Sequence, residues 1–575
     1  MGMRPTLTVM ICTLAVWPSA VAAQMQGAPL AGGAVPGSAS ATPGATTTDQ
    51  TAAAADGSRA AVPQRRRAQV SPYVELGQVL VADLTRGDAV TYTTLAAGVN
   101  AQVQTARAQG QVSYRYEHRI GWGDRAGDGD IHSGLARGSY ALTRELRLDA
   151  GALATRTRAD IRGAAPGVLV GDVANISQIY SVFAGPSLTT RAGPVQIGAN
   201  YRLGYTRAET PGLGGLAPGQ PRLDYFSDSW NQIATVSATA RPGAVAPVGL
   251  SANAAYERDD AGQLSQRYEG WFVRGDVLKP ISPYVAVTAG VGYERIESSQ
   301  RDPEVDAAGR PLVDSRGRFI TNPTGPRRIA YRTDGVYYDA GVIWRPDRRT
   351  SVEGHVGERY GSLSVTGLAR YQASRDIVFQ AALYDGIQTF GRQLRNGLSA
   401  LPTNFVETRD AFAQQFNGCT FSAGGTSPGG CLNGALQSVQ TAVYRARGFD
   451  MAVSYQRGRS TMGVGLGYTS RRLFAPDEAP GLIVSGVEDD SYYGQIFLGR
   501  AFGPNSGLNV NGFVNYYVSR LAGAEDVVSL GTTASYYRNF GRLGTTASVG
   551  LYHFQVGDLS SALSAQALIA ARYQF

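Results

Sequence analysis

The chain of 575 residues carries only 17% Asp, Glu, Lys and Arg, with a formal net charge of +8, and its mean hydropathy is −0.16. The low charge argues against a charge-rich soluble protein, the negative hydropathy against a helical membrane protein. With 72 Gly and 30 Tyr, long helices are disfavoured, because Gly weakens a helix by about 1 kcal/mol relative to Ala and Tyr suits strands.

The length lies at the upper limit for one soluble core, so several domains or a closed architecture is required. Part of the positive charge sits near the N-terminus, at Arg4, Arg59, Arg65, Arg66 and Arg67. No concentrated basic stripe remains beyond it, and no nucleic-acid partner is expected.

Residues 1–23 read as a secretory signal peptide: one charge at Arg4, an apolar stretch from Leu7 to Trp17, and small residues ending at Ala23. The apolar stretch is shorter than the ~20 residues of a spanning helix. Cys12 leaves with this leader, so the two remaining cysteines, Cys419 and Cys431, are expected to form a local disulfide in an oxidising compartment. Residues 24–70 are rich in Ala, Gly, Pro, Ser and Thr, a composition that buries too little surface to fold, and read as a disordered periplasmic tail. Within it Arg65, Arg66 and Arg67 suit either a solvated linker or a contact for an anionic partner.

Residues 71–575 have a period of two, which marks strands with one wet and one apolar face. In 109–120, Gln109, Gln111, Ser113, Arg115, Glu117 and Arg119 alternate with Val112, Tyr114, Tyr116, His118 and Ile120. Comparable alternation recurs at 195–206, 285–293, 336–344 and 462–468. The first four of these runs are long enough to cross a bilayer as a tilted strand of about 9–11 residues.

A soluble sandwich would also alternate, but here the apolar series end in aromatics such as Tyr201, Tyr205, Tyr256, Tyr293 and Trp344, as headgroup-level rings do. The opposite face carries mid-strand charges that need a wet lumen. Arg115, Glu117, Arg119, Arg202 and Asp339 are the lumen-facing candidates.

Short connections alternate with long ones. Arg144-Glu145, 191–194, 279–283, 345–349, 374–376 and Gly458-Arg459 are short; 121–130, 160–174, 207–225, 297–333, 392–441 and 474–490 are long. The expected fold is therefore all-β: a closed antiparallel transmembrane β-barrel of about 22 strands, 18–22 with an even number, both termini periplasmic, in the outer membrane of a Gram-negative bacterium. Closure follows from the need to pair every backbone group in lipid.

The last strand places Leu563, Ala565, Ala567, Ile569, Ala571, Tyr573 and Phe575 on one face. It resembles the C-terminal signal read by the barrel-assembly machinery, with Ile569, Tyr573 and Phe575 as its candidates.

Chemistry-bearing clusters are sparse. The four histidines, His118, His132, His355 and His553, are scattered, so neither a metal site, a cofactor nor an enzyme is expected. Asp124, Asp128 and Asp130 suit an exposed acidic turn or a calcium ligand set, without EF-hand spacing. In 392–441, Phe405, Phe412 and Phe416 fit one face of a short helix beside the Cys419–Cys431 staple. That loop is either a plug inside the barrel or a stiffened surface loop.

The opening strand Ser71-Pro72-Tyr73-Val74-Glu75 through Asp83-Leu84, and the block Trp344-Arg345-Pro346, Thr350-Ser351-Val352 and Tyr360-Gly361, resemble the outer-membrane β-barrel porin family of proteobacteria, of the exopolysaccharide- or sorting-system-associated type. The resemblance covers most of 71–575 and implies a pore for polar solutes or exopolysaccharide, with outer-membrane lipid, the barrel-assembly machinery and export-system components as partners. It assigns no catalytic or binding residues. Some relatives are labelled a preprotein translocase subunit, a small protein with one spanning helix, which this chain does not match. A non-conducting surface or adhesion barrel acting through its long loops is the alternative.

Overall fold

Period-two alternation over 10–18 residues produces strands that each need two partners, and the chain meets that need by closing a ring. In the computed structural model, which describes residues 68–123, 128–160, 175–210, 224–409, 412, 416–422, 429–436, 439–477, 485–521, 523–558 and 560–575, 22 antiparallel strands form one sheet. The first, Ala68–Asp83, pairs with the last, Ser560–Gln574, placing Tyr73 opposite Gln574 and Asp83 opposite Ser564. An even number of strands puts both ends of the sheet at the same rim, that of the short turns. Residues 1–67, and with them the leader, lie outside the described residues; 68–70, expected in the tail, stand in the first strand.

The long-loop rim differs from expectation in detail. The strands Val285–Arg301 and Arg327–Trp344 extend well into the 297–333 loop, leaving 302–326 as the connection. Pairing continues above the apolar belt because a backbone ladder, unlike a lipid-facing surface, has no stake in side-chain polarity. Three long-rim connections are tight: 84–87, 557–559, and Tyr360-Gly361, where both residues have positive φ (57° and 67°) as a two-residue hairpin turn of type I′ requires.

The outer wall is apolar. Val291, Val336, Val549 and Ile569 are each more than half exposed. Aromatic rings border this belt at both rims. Tyr205–Trp230, Tyr256–Trp271 and Tyr468–Tyr492 pack between neighbouring strands toward the long loops, with centroids 4.8, 4.3 and 4.8 Å apart. At the short turns Phe502 packs on Tyr536, and Tyr573 on Phe575 at the end of the same chain, 6.4 and 5.2 Å apart. A belt of this kind matches a bilayer, where rings with a polar edge settle at the headgroups.

Candidate functional site

The lumen is occupied by the chain itself. Between the strands Ile377–Gln388 and Val443–Arg457, the described residues of 389–442 turn inward and pack on the wall. Helix α1 spans Phe390–Ala400, with Thr389 as N-cap accepting from the Arg392 N–H. Phe390, Leu394 and Leu398, spaced i, i+4, i+8, form one buried stripe against Leu135, Leu153, Ile179 and Phe183 on the inner wall.

The C-terminal carbonyls of α1 meet Arg137, whose Nη2 donates to Ser399 O (3.0 Å) and Nε to Leu401 O (3.1 Å). A cation there suits the negative end of the helix dipole. Neither α1 nor Arg137 was anticipated from sequence, although the Thr389 cap and the Phe390-Leu394-Leu398 spacing are legible signals.

Beyond α1, the strands Phe405–Arg409, Phe416–Ser422 and Gly429–Cys431 form a small sheet, followed by the short helix α2, Asn433–Leu436. This corrects the expected helix across Phe405, Phe412 and Phe416. Phe405 and Phe416 lie in strands, and Phe405 and Phe412 reach different wall patches rather than a shared one. Phe405 joins the α1 cluster, while Phe412 packs against Val79, Val81, Tyr92 and Leu568. Cys419 and Cys431 are opposite each other in the sheet and disulfide-bonded, with Cα atoms 4.0 Å apart. Of the two readings left open for this loop, the structure has the inward one.

The wall is shaped to receive it. On Ser460–Phe474, Gly463 faces the Phe421 ring, and a Cβ on Gly465 would lie 2.7 Å from Cys419 Sγ and 2.9 Å from Cys431 Sγ. Gly465→Val is therefore expected to lift the disulfide hairpin off the wall at a cost of about 1–3 kcal/mol. Reduction of Cys419–Cys431 by a membrane-impermeant phosphine should then accelerate about tenfold, with strand content by circular dichroism unchanged.

The sequence-predicted charged residues fall in several places. Arg115 donates to Glu75 and to Glu117 (both 2.7 Å), Arg119 Nε to Glu117 (2.7 Å), and Arg572 Nε to Glu75 (2.7 Å). Arg115, Glu117 and Arg119 are buried, and Arg119 also donates to the Phe412 carbonyl of the inner segment. Arg202 Nη1 donates to Ser399 Oγ at 3.3 Å.

Asp339 stands apart from these. It accepts from Arg274, and its Oδ1 lies 3.1 Å from His355 Nδ1. Arg359 pairs with Glu294, not with its sequence neighbour Glu358, which accepts from the Tyr338 hydroxyl outside. Asp124 lies outside the described residues. Asp128 accepts from the Gly121 N–H, and Asp130 accepts from the Tyr116 hydroxyl and lies 2.8 Å from His118 Nδ1.

The dock of α1 on the wall is mixed. Arg392 pairs with Glu257 and sits 3.8 Å above the Tyr268 ring, and Thr389 donates to Asp259. Asn231 and Gln388 nearby keep buried polar atoms without a protein partner, so the joint is polar as well as apolar. At the short-turn side, beneath Phe405 and Val406, a cavity of about 600 Å³ is lined by Gln69, Glu75, Asn100, Arg115 and Arg572 among others.

Above α1 the long loops close in. Phe319 packs with Tyr225, Leu264, Tyr444 and Leu473, and Arg158 crosses to within 4.1 Å of the Phe554 ring. The inner segment is pinned there by Thr441 N donating to Asp224 O and by the Tyr225–Gln440 bridge. Burial pushes the Asp224 carboxyl up to about 7. A raised folded-state pKa stabilises the pinned state fully below the unfolded value near 4, and this is lost as pH rises toward 7. Amide exchange at Tyr225 and Thr441, corrected for intrinsic rate, is expected to be slower at pH 5 than at pH 8, and Asp224→Asn should abolish the difference.

Fold and site together define a class: a closed 22-stranded antiparallel barrel whose lumen is filled by an inward-folded segment. No family model matches the chain, and no curated protein matches it. Among solved structures it is similar to the FrpB iron transporter from Neisseria meningitidis (F5-1 variant), at 12% identity over 88% of this chain and 82% of that one, TM-score 0.40. It is also similar to the ferric-catecholate import receptor Fiu from E. coli K12 in its closed form, at 11% identity over 89% and 82%, TM-score 0.41. A third is the siderophore receptor PiuA from Acinetobacter baumannii, at 9% identity over 87% and 82%, TM-score 0.40. None of the three is named as a porin.

Proposed function

We propose that this chain is an outer-membrane pore for polar solutes, closed at rest by residues 389–442, with both termini periplasmic. The observation that carries the reading is the inner segment itself, seated in a wide ring on a partly polar interface above a polar cavity of about 600 Å³. A ring far wider than eight strands leaves a channel unless something fills it. The apolar belt with its two aromatic borders supports the membrane assignment. Outward-facing Ile569, Tyr573 and Phe575 suit recognition by the barrel-assembly machinery. Exopolysaccharide or another polar export cargo, delivered by export-system components, fits the same lumen.

The second reading is a non-conducting surface barrel, favoured by the long loops packed over the mouth around Phe319. Planar-bilayer recording of the full chain separates them. Discrete openings, with permeation of small neutral sugars into vesicles, are expected for the pore; silence at all voltages together with impermeable vesicles overturns it.

A further inference from the structure

The rim of short turns carries its charge unevenly. On the consecutive strands from Val443–Arg457 to Leu543–Val556, the short-turn ends hold Arg457, Arg459, Arg500, Arg538 and Arg542, all exposed. The same parts of the chain, 451–466, 494–514 and 530–551, contain no Asp or Glu. Carboxylates of this arc stand at the other rim, as Glu488, Asp490 and Asp526 do. No basic stripe is visible in the sequence here, because three separate turns contribute the five residues and only strand pairing sets them side by side.

Three of the five face outward. Arg457 continues the outer series Phe449, Met451, Val453 and Tyr455; Arg500 follows Ile496 and Leu498, and Arg538 follows Tyr536. The other two occupy tight turns, Gly458-Arg459 and Gly541-Arg542, where Gly takes positive φ (59° and 65°) at the first position and leaves the second to Arg. Arg500 lies opposite Ser460, and Arg538 opposite Ser506. With strands about 4.8 Å apart, the row spans roughly 25 Å of wall.

Within the chain these guanidiniums are lightly engaged. Arg459 Nη1 donates to Phe502 O at 3.1 Å, Arg500 Nη1 donates to Ser460 Oγ at 2.6 Å, and Arg538 sits 5.1 Å from the Phe540 ring. Asp376 stands at one end of the row, 3.9 Å from Arg457, and the terminal carboxylate of Phe575 at the other, so the row as a whole is cationic. Phe502 and Phe540 alternate with the cations and are 54% and 56% exposed. Elsewhere on this rim Arg144 adjoins Glu145 and Arg348 adjoins Asp347, while Arg191 and Arg241 continue inward series.

We propose that this row binds anionic phospholipid in the leaflet at the short-turn rim. Phosphate oxygens accept from the forks of Arg457, Arg500 and Arg538, whose stems run along the wall. Phe502 and Phe540 enter the interface between the headgroups, the depth at which such rings settle. A lipid is favoured over a soluble acidic protein because three of the cations belong to lipid-facing series rather than to turn tips. The inference rests on the membrane reading above.

The test uses the full chain in phosphatidylcholine vesicles carrying a trace of diazirine-bearing phosphatidylglycerol. Label is expected on 498–502 and 536–543 at about tenfold the level on 236–240, the end of the strand Asp228–Ala240 on the opposite side of the ring. A phosphatidylcholine analogue with the same diazirine should label both places alike. Joint Arg457→Gln, Arg500→Gln and Arg538→Gln substitution should remove the excess, with heat-modifiable migration still that of a folded barrel. Raised salt should weaken the excess in the unsubstituted chain.

Equal phosphatidylglycerol labelling of the row and of 236–240, or an excess unchanged by the three substitutions, overturns the proposal. So does binding of fluorescent polyglutamate in neutral micelles, lost in the substituted chain, without any lipid excess: the row would then serve an acidic protein. If 236–240 took no label from either lipid, the membrane reading would fail and the row's lipid role with it.

Discussion

Deleting residues 404–433 is expected to raise single-channel conductance about tenfold, because the ring is far wider than the eight strands that side chains alone can fill. The deletion removes the small sheet, the disulfide and the Phe405 and Phe412 anchors, while α1 keeps its own wall contacts through Phe390, Leu394 and Leu398. Planar-bilayer recording checks it, with heat-modifiable migration on gels as the control for a folded barrel. An unchanged conductance in a folded variant would show that the passage does not run through the volume these residues occupy.

Loss of Glu117 is expected to be the most damaging single change. Its carboxylate serves Arg115 and Arg119, and all three are buried. Arg115 keeps Glu75, but removing the carboxylate that bridges two buried guanidiniums leaves excess positive charge in the network, at a cost of about 3–5 kcal/mol. Glu117→Ala should therefore shift the denaturant midpoint strongly in micelles. Glu488→Gln, which removes one of the two carboxylates paired with the largely exposed Arg520, should cost no more than about 1 kcal/mol. Equal effects of the two substitutions would mean that the lumen network is solvated.

The sequence was informative wherever the signal was local. Alternation along 109–120 sets which side of the strand each residue occupies, and the structure keeps Arg115, Glu117 and Arg119 together there. Cys419 and Cys431, close in sequence, pair as their spacing suggested. The inner segment was harder to read. Its apolar residues are spread over α1 and three short strands, and no period spans them. Its aromatics match patches such as Val79, Tyr92 and Leu568, which lie far away in the chain. Arg137 looks like any other charged residue on an alternating strand until α1 ends beside it.

Sequence alone determined a closed antiparallel ring of even strand number, since period-two polarity and alternating loop lengths are written residue by residue. The tertiary structure alone decided that the described residues of 389–442 fold inward. That depends on a surface that exists only once the ring has closed: an inner wall with apolar patches and glycine gaps.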